Sequence, residues 1–481
     1  MPQSTPQKKI FFDVSSIREY LTRTTRYSGI QRVVANILSE LLAIVPRERM
    51  YLSYLDQKTN RYVAISCTDI EADLTDPEDM LALLQPDLPM RGTVPALRKY
   101  RKQPWKYYFH LYRLDLAAMR GKDGSLRRYD MTIPQWKAQR RAKAGKEMPH
   151  SRVSTQDVFE IVTPGDDLIL LDSSWTDAFK AVFAQAKTKN MTVRTLVYDL
   201  IPILHPETTN DTMPMIFHEW LLSSTEYTTS YMTISEATKR DLERFFEIYD
   251  HTFEVDVLAL TQERLKPAQD QGPRKGPLSA SVSEDGYPLL ARAGMLDTRL
   301  RSVVFRPFVL VVGTIEMRKN VWRIAMAWKK LVDEGYTDLP QLVFAGRLGW
   351  CRENFDALLE GTGNVYGYVH VFDGPSDDEL TFLYEQCLFT MMPSIYEGWG
   401  LPVGEALSYG KTAIVSDGSS LPEVGGDLVE YCDPGSVDSI AQAVRTLVAT
   451  PERRLELERR ISQAHLRRWR DVAEDLLEIT G

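Results

Sequence analysis

The chain has 481 residues, 43% hydrophobic and 26% charged, with a net charge of −8 at pH 7. That length exceeds one ordinary core and predicts two domains of roughly 200 residues each, with the composition of a soluble globular protein. No stretch approaches the ~18 uncharged apolar residues that span a bilayer. MPQSTPQKKIFFDVSS lacks the apolar core of a signal peptide. Cys67, Cys351, Cys387 and Cys432 fall in neither metal-ligand nor disulfide spacing, which points to a reducing cytoplasm.

In chain order, KKIFFDVS predicts a first strand, with Asp13 read as a turn residue. Ser28 and Gly29 then supply a turn and N-cap, and Ile30, Val33, Val34, Ile37, Leu38, Leu41 and Leu42 follow helical spacing. Residues 56–165 match no pattern. Within them, 91–152 carries 17 Lys/Arg against 4 Asp/Glu, or +13, which leaves −21 for the remainder. RKYRKQPWKYYFHLYR adds Trp105, Tyr107, Tyr108, Phe109 and Tyr112. Two readings stand: a solvated insertion, or a patch for an anionic partner such as a membrane surface or diphosphate-lipid. The charge would also attract nucleic acid, but no nucleic-acid motif accompanies it, so that partner is not expected.

Short strands are predicted in 166–175 and 192–200, separated by a helix, and 231–246 reads as a strand followed by a helix capped at Ser235. Residues 261–302 collect Pro, Gly, Ser and charge and read as a linker or long loop. A second series starts at Phe305. FVLVVGTI is a strand buried on both faces, and EMRKNVWRIAMAWKKLVDEG one helix with Arg318 and Lys319 at its entry. QLVFAGR and VHVFDG are strands, the latter followed by a helix with a capping box, Ser376 and Glu379. LFTMMPS and KTAIVSD are strands, and SVDSIAQAVRTLVA a helix. The predicted fold is α/β with two open parallel sheets.

The loop after LFTMMPS reads YEGWGLPVGEALSYG. Pro402 suits the first helical position and Gly410 the far cap, which places Glu397 in the loop and Glu405 in the helix's first turn. Ligands of open α/β sheets bind at the carboxyl ends of strands, glycines admit close backbone approach, and a helix start favours an anion. An ionised carboxylate only accepts hydrogen bonds, so Glu397 and Glu405 suit hydroxyl groups, one on a hexose and one on a ribose. Arg318 and Lys319 suit phosphates. The sum is a pocket for a nucleoside-diphosphate sugar. Taken singly, Glu405 reads as a helix-dipole partner and Arg318 and Lys319 as surface residues; their combination changes that reading. Asp199 reads as a strand terminator or a cleft residue, His205 as either structural or functional, and Trp469 as packing.

SIYEGWGLPVGEALSYGKTAIVSDGSSLPEVGGD resembles the E-x7-E donor-site region of retaining GT-B glycosyltransferases of family 4, and GTIEMRKN resembles that family's diphosphate-binding segment. RRWRDVAEDLLEI resembles its C-terminal helix. The resemblance covers 305–480, with RYSGIQRVV, VYDLIPILHPET and TISEATKRDL as further matches in the N-terminal half. It implies two Rossmann-like domains facing across a deep cleft, with the C-terminal helix crossing back. The domains expected are 1–260 for the acceptor, with the basic insertion, then a linker at 261–302, 303–450 for the donor nucleotide, and 451–481 packing back.

The resemblance further implies that Glu397 contacts hydroxyls of the donor sugar and Glu405 the ribose. Backbone at Gly398, Trp399, Gly400 and Leu401 would face sugar and phosphates. Arg318 and Lys319, beside Gly313, would neutralise the diphosphate and stabilise the leaving group. Gly29 would close over the phosphates, and Val371 and Phe372 would line the base. Asp199 and His205 would lie on the acceptor side, although relatives often carry His where this chain has Tyr198. No cofactor is implied, and no metal: the chain has no Asp-x-Asp motif. The style of GIQRVV and TIEMRKN resembles bacterial polysaccharide and O-antigen mannosyltransferases. That makes GDP-mannose the first-choice donor, a glycan on undecaprenyl diphosphate the acceptor, and a peripheral position at the inner face of the plasma membrane the expected location. A nucleotide-sugar epimerase or a phosphorylase shares the architecture, but no lysine segment for pyridoxal phosphate stands out, and an epimerase has little use for the insertion. A non-catalytic glycan- or lipid-binding scaffold is the non-enzyme alternative.

Overall fold

A computed structural model of the chain describes residues 8–21, 24, 27–56, 59–84, 104–120, 126, 136, 154–172, 177–263, 298–336 and 338–481. The chain divides into two compact units, Met1–Val193 and Arg194–Gly481. The predicted linker is described only at its two ends, since 264–297 lie outside the described residues.

In the first unit, β1 (Ile10–Asp13) pairs in parallel with β2 (Met50–Asp56) and with β5 (Asp167–Leu170). β3 (Arg61–Ser66) runs antiparallel to β2, and β4 (Thr155–Asp157) antiparallel to β3. The sheet is therefore mixed, a correction to the all-parallel expectation. The unassigned stretch 56–165 contains β3 and the edge strand β4 of this sheet. The helix predicted from GIQRVV is Gly29–Ile44, with Val33, Val34, Ile37, Leu38 and Leu41 buried. Asp13 ends β1 buried and accepts from the Ser15 and Tyr62 hydroxyls, each at 2.8 Å. Burial raises its carboxyl to about 6 against those hydrogen bonds. Of the basic stretch, Lys99, Arg101 and Lys102 lie outside the described residues, whereas Pro104–Met119 is a helix.

The division of the chain falls inside β6 (Thr192–Val197), which continues in the second unit with β7 (Ser230–Thr233) and β8 (Val255–Val257) in parallel. The helix Glu236–Ile248 is capped by Ser235, whose Oγ accepts from Thr238 N at 3.0 Å. The second sheet of this unit has six strands: β9 (Phe308–Val312), β10 (Gln341–Gly346), β11 (Val369–Asp373), β12 (Thr390–Met392), β13 (Ala413–Ser416) and β14 (Glu430–Cys432). All pairs are parallel, in the order β11-β10-β9-β12-β13-β14.

The apolar runs of this sheet are buried on both faces because helices cover both. Val309, Val311, Leu342 and Phe344 belong to one core with Ile324, Trp328 and Leu331 of the helix Val321–Asp333 and Val444 of Val437–Ala449. Their neighbours Phe308, Leu310, Val343 and Ala345 face the other way, with Phe382 and Leu383 of Asp377–Gln386 and Ala406 of Leu401–Ser408. This alternation is the period-2 geometry of a strand between two helical layers. The chain leaves β9 on one side and returns at β12 on the other, so the strand order reverses between them. That switch point is where open α/β sheets form a crevice at their carboxyl ends.

Candidate functional site

Two loops leave the sheet at the switch point, one after β9 and one after β12. The first does not run straight into a helix, as predicted. Met317–Lys319 forms a single tight turn, Asn320 follows in the left-handed region at φ 61°, and the helix begins at Val321. Asn320 is held there by its amide, which donates to the carbonyls of Pro393 (2.9 Å) and Pro434 (2.7 Å). Asparagine tolerates this conformation better than most residues. The break matters because it turns Arg318 and Lys319 out of the helix and toward the second loop. Gly313 opens the way for Lys319: a Cβ at Gly313 would stand 3.3 Å from Lys319 Cε.

The second loop is fixed from several sides. Ile395 N donates to Arg318 O at 2.9 Å, which joins the loops backbone to backbone. Ser420 Oγ lies 2.9 Å from the carbonyl of Glu397 and 2.8 Å from that of Trp399, and Ser419 Oγ accepts from Glu397 N at 3.2 Å. The Trp399 side chain is buried and donates to Thr261 O at 3.0 Å, so it anchors the loop. A Cβ on Gly398 would lie 2.3 Å from the Tyr198 carbonyl, and one on Gly400, at φ 114°, 2.5 Å from Leu421 Cδ2. Both glycines are thus demanded by the protein's own packing. Leu401, rather than Pro402, is the first helical residue.

At the centre, Glu397 takes both cations. Arg318 Nη1 lies 2.8 Å from Oε2 and Lys319 Nζ 2.7 Å from Oε1. Arg318 also donates to the Tyr396 carbonyl (2.9 Å) and pairs with Glu316 at 2.8 Å. Burial alone would raise the Glu397 carboxyl, but Arg318 and then Lys319 outweigh it and hold it at about 2. Burial lowers the Lys319 ammonium, with Glu397 opposing; burial likewise weakens Arg318 as a cation, but Glu397 and Glu316 more than restore it. Lysine is the weaker cation of the two. Burial raises Glu316, against Arg318. The site is a compact, mostly buried charge cluster in which a carboxylate occupies the cations that an oxyanion would need.

Asp199 belongs to the same field. Burial raises it, against Arg318, while Glu397 adds to the rise. Its Oδ1 accepts from Ile201 N at 3.1 Å, so it also caps the turn it sits in. His205 stands 5.1 Å, centroid to centroid, from the Tyr396 ring, and its Nδ1 lies 3.3 Å from Glu207. The Tyr396 hydroxyl donates to Asp241; burial, reinforced by Asp241, raises the phenol. Glu316, Tyr396, Asp241, Asn320 and the Ser419–Ser420 pair were not singled out from sequence; Glu316 pairs with Arg318 two residues on, but the others meet partners distant along the chain.

Glu405 lies in the second turn of its helix rather than the first, because the helix starts at Leu401. Its Oε2 accepts from the Tyr384 hydroxyl at 2.7 Å, and Tyr384 stacks on Tyr409 at 5.1 Å. Phe372 packs into the core with Leu310 and Ala406, and Val371 is only partly buried. Gly29 opens its helix in the first unit, and a Cβ added there would meet nothing within 4 Å. Among the described residues no cluster of His, Cys, Asp and Glu has the makings of a metal site. None of the described helices is long and apolar enough to cross a membrane.

Comparison with known proteins bears on this geometry. Residues 300–464 match the family model described as "Glycosyl transferases group 1". These residues are a glycosyl transferases group 1 domain. The O-antigen chain mannosyltransferase B of Escherichia coli is 33% identical over 168 residues, 35% of this chain and 44% of that protein. The serotype-specific mannosyltransferase WbdA of Escherichia coli is 25% identical over 283 residues, 59% of this chain and 33% of the relative. The matched stretches thus span less than half the length of these relatives. Among solved structures, a sucrose-phosphate synthase from Thermosynechococcus elongatus aligns with a TM-score of 0.54 at 14% identity, covering 98% of each chain. Anabaena HepE in complex with UDP and glucose gives 0.54 at 12% identity, over 98% of this chain and 99% of that one. The fold is GT-B, and the group 1 domain contains both loops of the site.

Proposed function

We propose that the protein is a retaining glycosyltransferase of the E-x7-E type that transfers mannose from GDP-mannose to a growing surface glycan carried on undecaprenyl diphosphate. The observation that carries the reading is the Glu397–Arg318–Lys319 cluster at the switch point of a group 1 domain. The mannosyltransferase relatives support the choice of sugar.

In this reading the donor's diphosphate replaces the Glu397 carboxylate on Arg318 and Lys319. The freed carboxylate then accepts hydrogen bonds from sugar hydroxyls, and Glu405, steadied by Tyr384, accepts from the ribose. As the glycosidic bond breaks, negative charge grows on the leaving diphosphate. Arg318 and Lys319 are already fixed at the place where it grows, so they stabilise the transition state without reorganising. The leaving phosphate oxygen takes the acceptor's hydroxyl proton, and the new bond forms on the same face. Asp199 and His205 orient the acceptor. No metal is required.

The test is a thermal-shift series with GDP, UDP, ADP, TDP and CMP, with and without EDTA. A nucleotide that binds only the folded state raises the melting temperature. A shift with GDP that is indifferent to EDTA and absent in Lys319→Ala supports the site and the donor. Transfer from GDP-mannose, with the product's anomeric configuration read by NMR, decides retention. No shift with any nucleotide overturns the reading in favour of a binding scaffold.

A further inference from the structure

The helix Pro104–Met119 has two apolar faces. At about 100° per residue, Tyr107, Leu111, Leu114 and Ala118 share one face, and all four are buried in a small core with Leu126 and Trp136. On the opposite side, Trp105, Tyr108, Phe109, Tyr112 and Met119 share a sector about 100° wide. They are 66, 66, 58, 59 and 69% exposed. A single exposed aromatic needs no explanation, but four at i, i+3, i+4 and i+7 form a stripe.

Charge borders this stripe on one edge. Lys106, Arg113 and Arg120, just past the helix end, are exposed and fall beside the aromatic sector. The helix's one acid, Asp115, accepts from Trp136 Nε1 at 2.8 Å and so serves the small core. The surrounding stretch, 91–152, carries +13 in a protein of net charge −8. Aromatic rings with polar tips favour a membrane–water interface, and lysine and arginine beside them favour anionic headgroups.

We propose that Pro104–Met119 is a membrane-docking helix that lays its Trp105, Tyr108, Phe109, Tyr112 and Met119 face into the interface of an anionic bilayer. Lys106, Arg113 and Arg120 hold the headgroups. The proposal deepens the lipid-linked acceptor reading, on which its biological use rests, while its measurement stands apart from donor binding.

The experiment is flotation of the full chain with phosphatidylcholine vesicles, with and without phosphatidylglycerol. The wild type should float with the anionic vesicles and remain behind with the neutral ones. Each charge near an anionic surface is worth about fivefold in partitioning. Lys106→Glu/Arg113→Glu/Arg120→Glu should therefore lose at least about a hundredfold, and Trp105→Ser/Phe109→Ser/Tyr112→Ser should also stay behind. The replaced side chains are exposed, so the melting temperature and its response to GDP should be unchanged. Quenching of tryptophan fluorescence by brominated lipid, wild type against Trp105→Phe, reads insertion without a disruptive change. No flotation of the wild type, equal flotation of both triple variants, or no Trp105-dependent quenching overturns the proposal. So does a dimer that the serine variant dissociates, which would make a second copy the occupant. Flotation with no nucleotide response would instead overturn the transferase reading and leave the docking helix standing.

Discussion

Replacing Glu397 with glutamine keeps the shape of the central carboxylate and removes its charge. The wild-type carboxyl is held at about 2 against an ordinary value of 4.5. Removing one partner of a buried ion pair costs about 3 kcal/mol or more, and the depressed carboxyl gives that loss the same sign. For a unit of this size, Glu397→Gln should melt roughly 6–12 °C below the wild type at neutral pH. The sign with pH follows from a depressed folded value. The wild-type advantage is complete above 4.5 and shrinks as pH falls toward 2. Ligand response should run the other way. In the wild type a diphosphate competes with Glu397 for Arg318 and Lys319; in the variant those cations lack a counter-charge. GDP should therefore raise the melting temperature of Glu397→Gln by more than that of the wild type, even as transfer falls by a factor of about 100 or more. Scanning calorimetry with and without GDP, across pH, measures both. A variant that melts within about 2 °C of the wild type, or whose response to GDP is smaller, refutes the reasoning.

Tyr384→Phe removes the hydroxyl that holds Glu405. The donor KM should rise about tenfold with kcat nearly unchanged, which steady-state kinetics separates from a general loss of folded protein. Gly398→Ala forces a Cβ to within 2.3 Å of the Tyr198 carbonyl. The loop must move with Glu397 on it, and kcat/KM should drop about 100-fold while circular dichroism stays native. Glu423 accepts from the backbone N–H groups of Glu236 and Ala237, each at 2.8 Å, at the start of the helix Glu236–Ile248. Glu423→Ala should cost about 1–2 kcal/mol, seen as a lower denaturation midpoint, and an unchanged midpoint would count the contact as worthless.

The second sheet was legible because its strands are buried on both faces. FVLVV, LVFAG and AIV are unbroken apolar runs, as strands covered on both faces require. The cap at Ser376 was legible because both its partners lie within four residues. What escaped were features whose cause lies far along the chain. The break at Asn320 is held by carbonyls 73 and 114 residues away. The Glu397 loop is pinned by serines 22 and 23 residues on. Gly398 is demanded by a carbonyl at Tyr198, in a different strand–loop unit. In the basic stretch the aromatic patch was read from the sequence, but the helix Pro104–Met119 that carries it was not, for another reason. Its apolar residues lie on two opposite faces, so no single stripe marks it, and only burial tells the core face from the outer one.

The glycine-rich run and its two glutamates were read from the sequence for what they offer a ligand, whereas the structure shows first what they do for the protein's own packing. The glycines fit the loop onto its own scaffold, and the first glutamate pairs with Arg318 and Lys319. Buried and unpaired, Arg318 and Lys319 would be costly; paired with Glu397, they sit ready at the carboxyl ends of β9 and β12. A ligand that supplies its own negative charge can take over that pairing and release the carboxylate. The same exchange favours a diphosphate over a neutral sugar, because a neutral ligand displaces Glu397 only by leaving both cations buried without a partner.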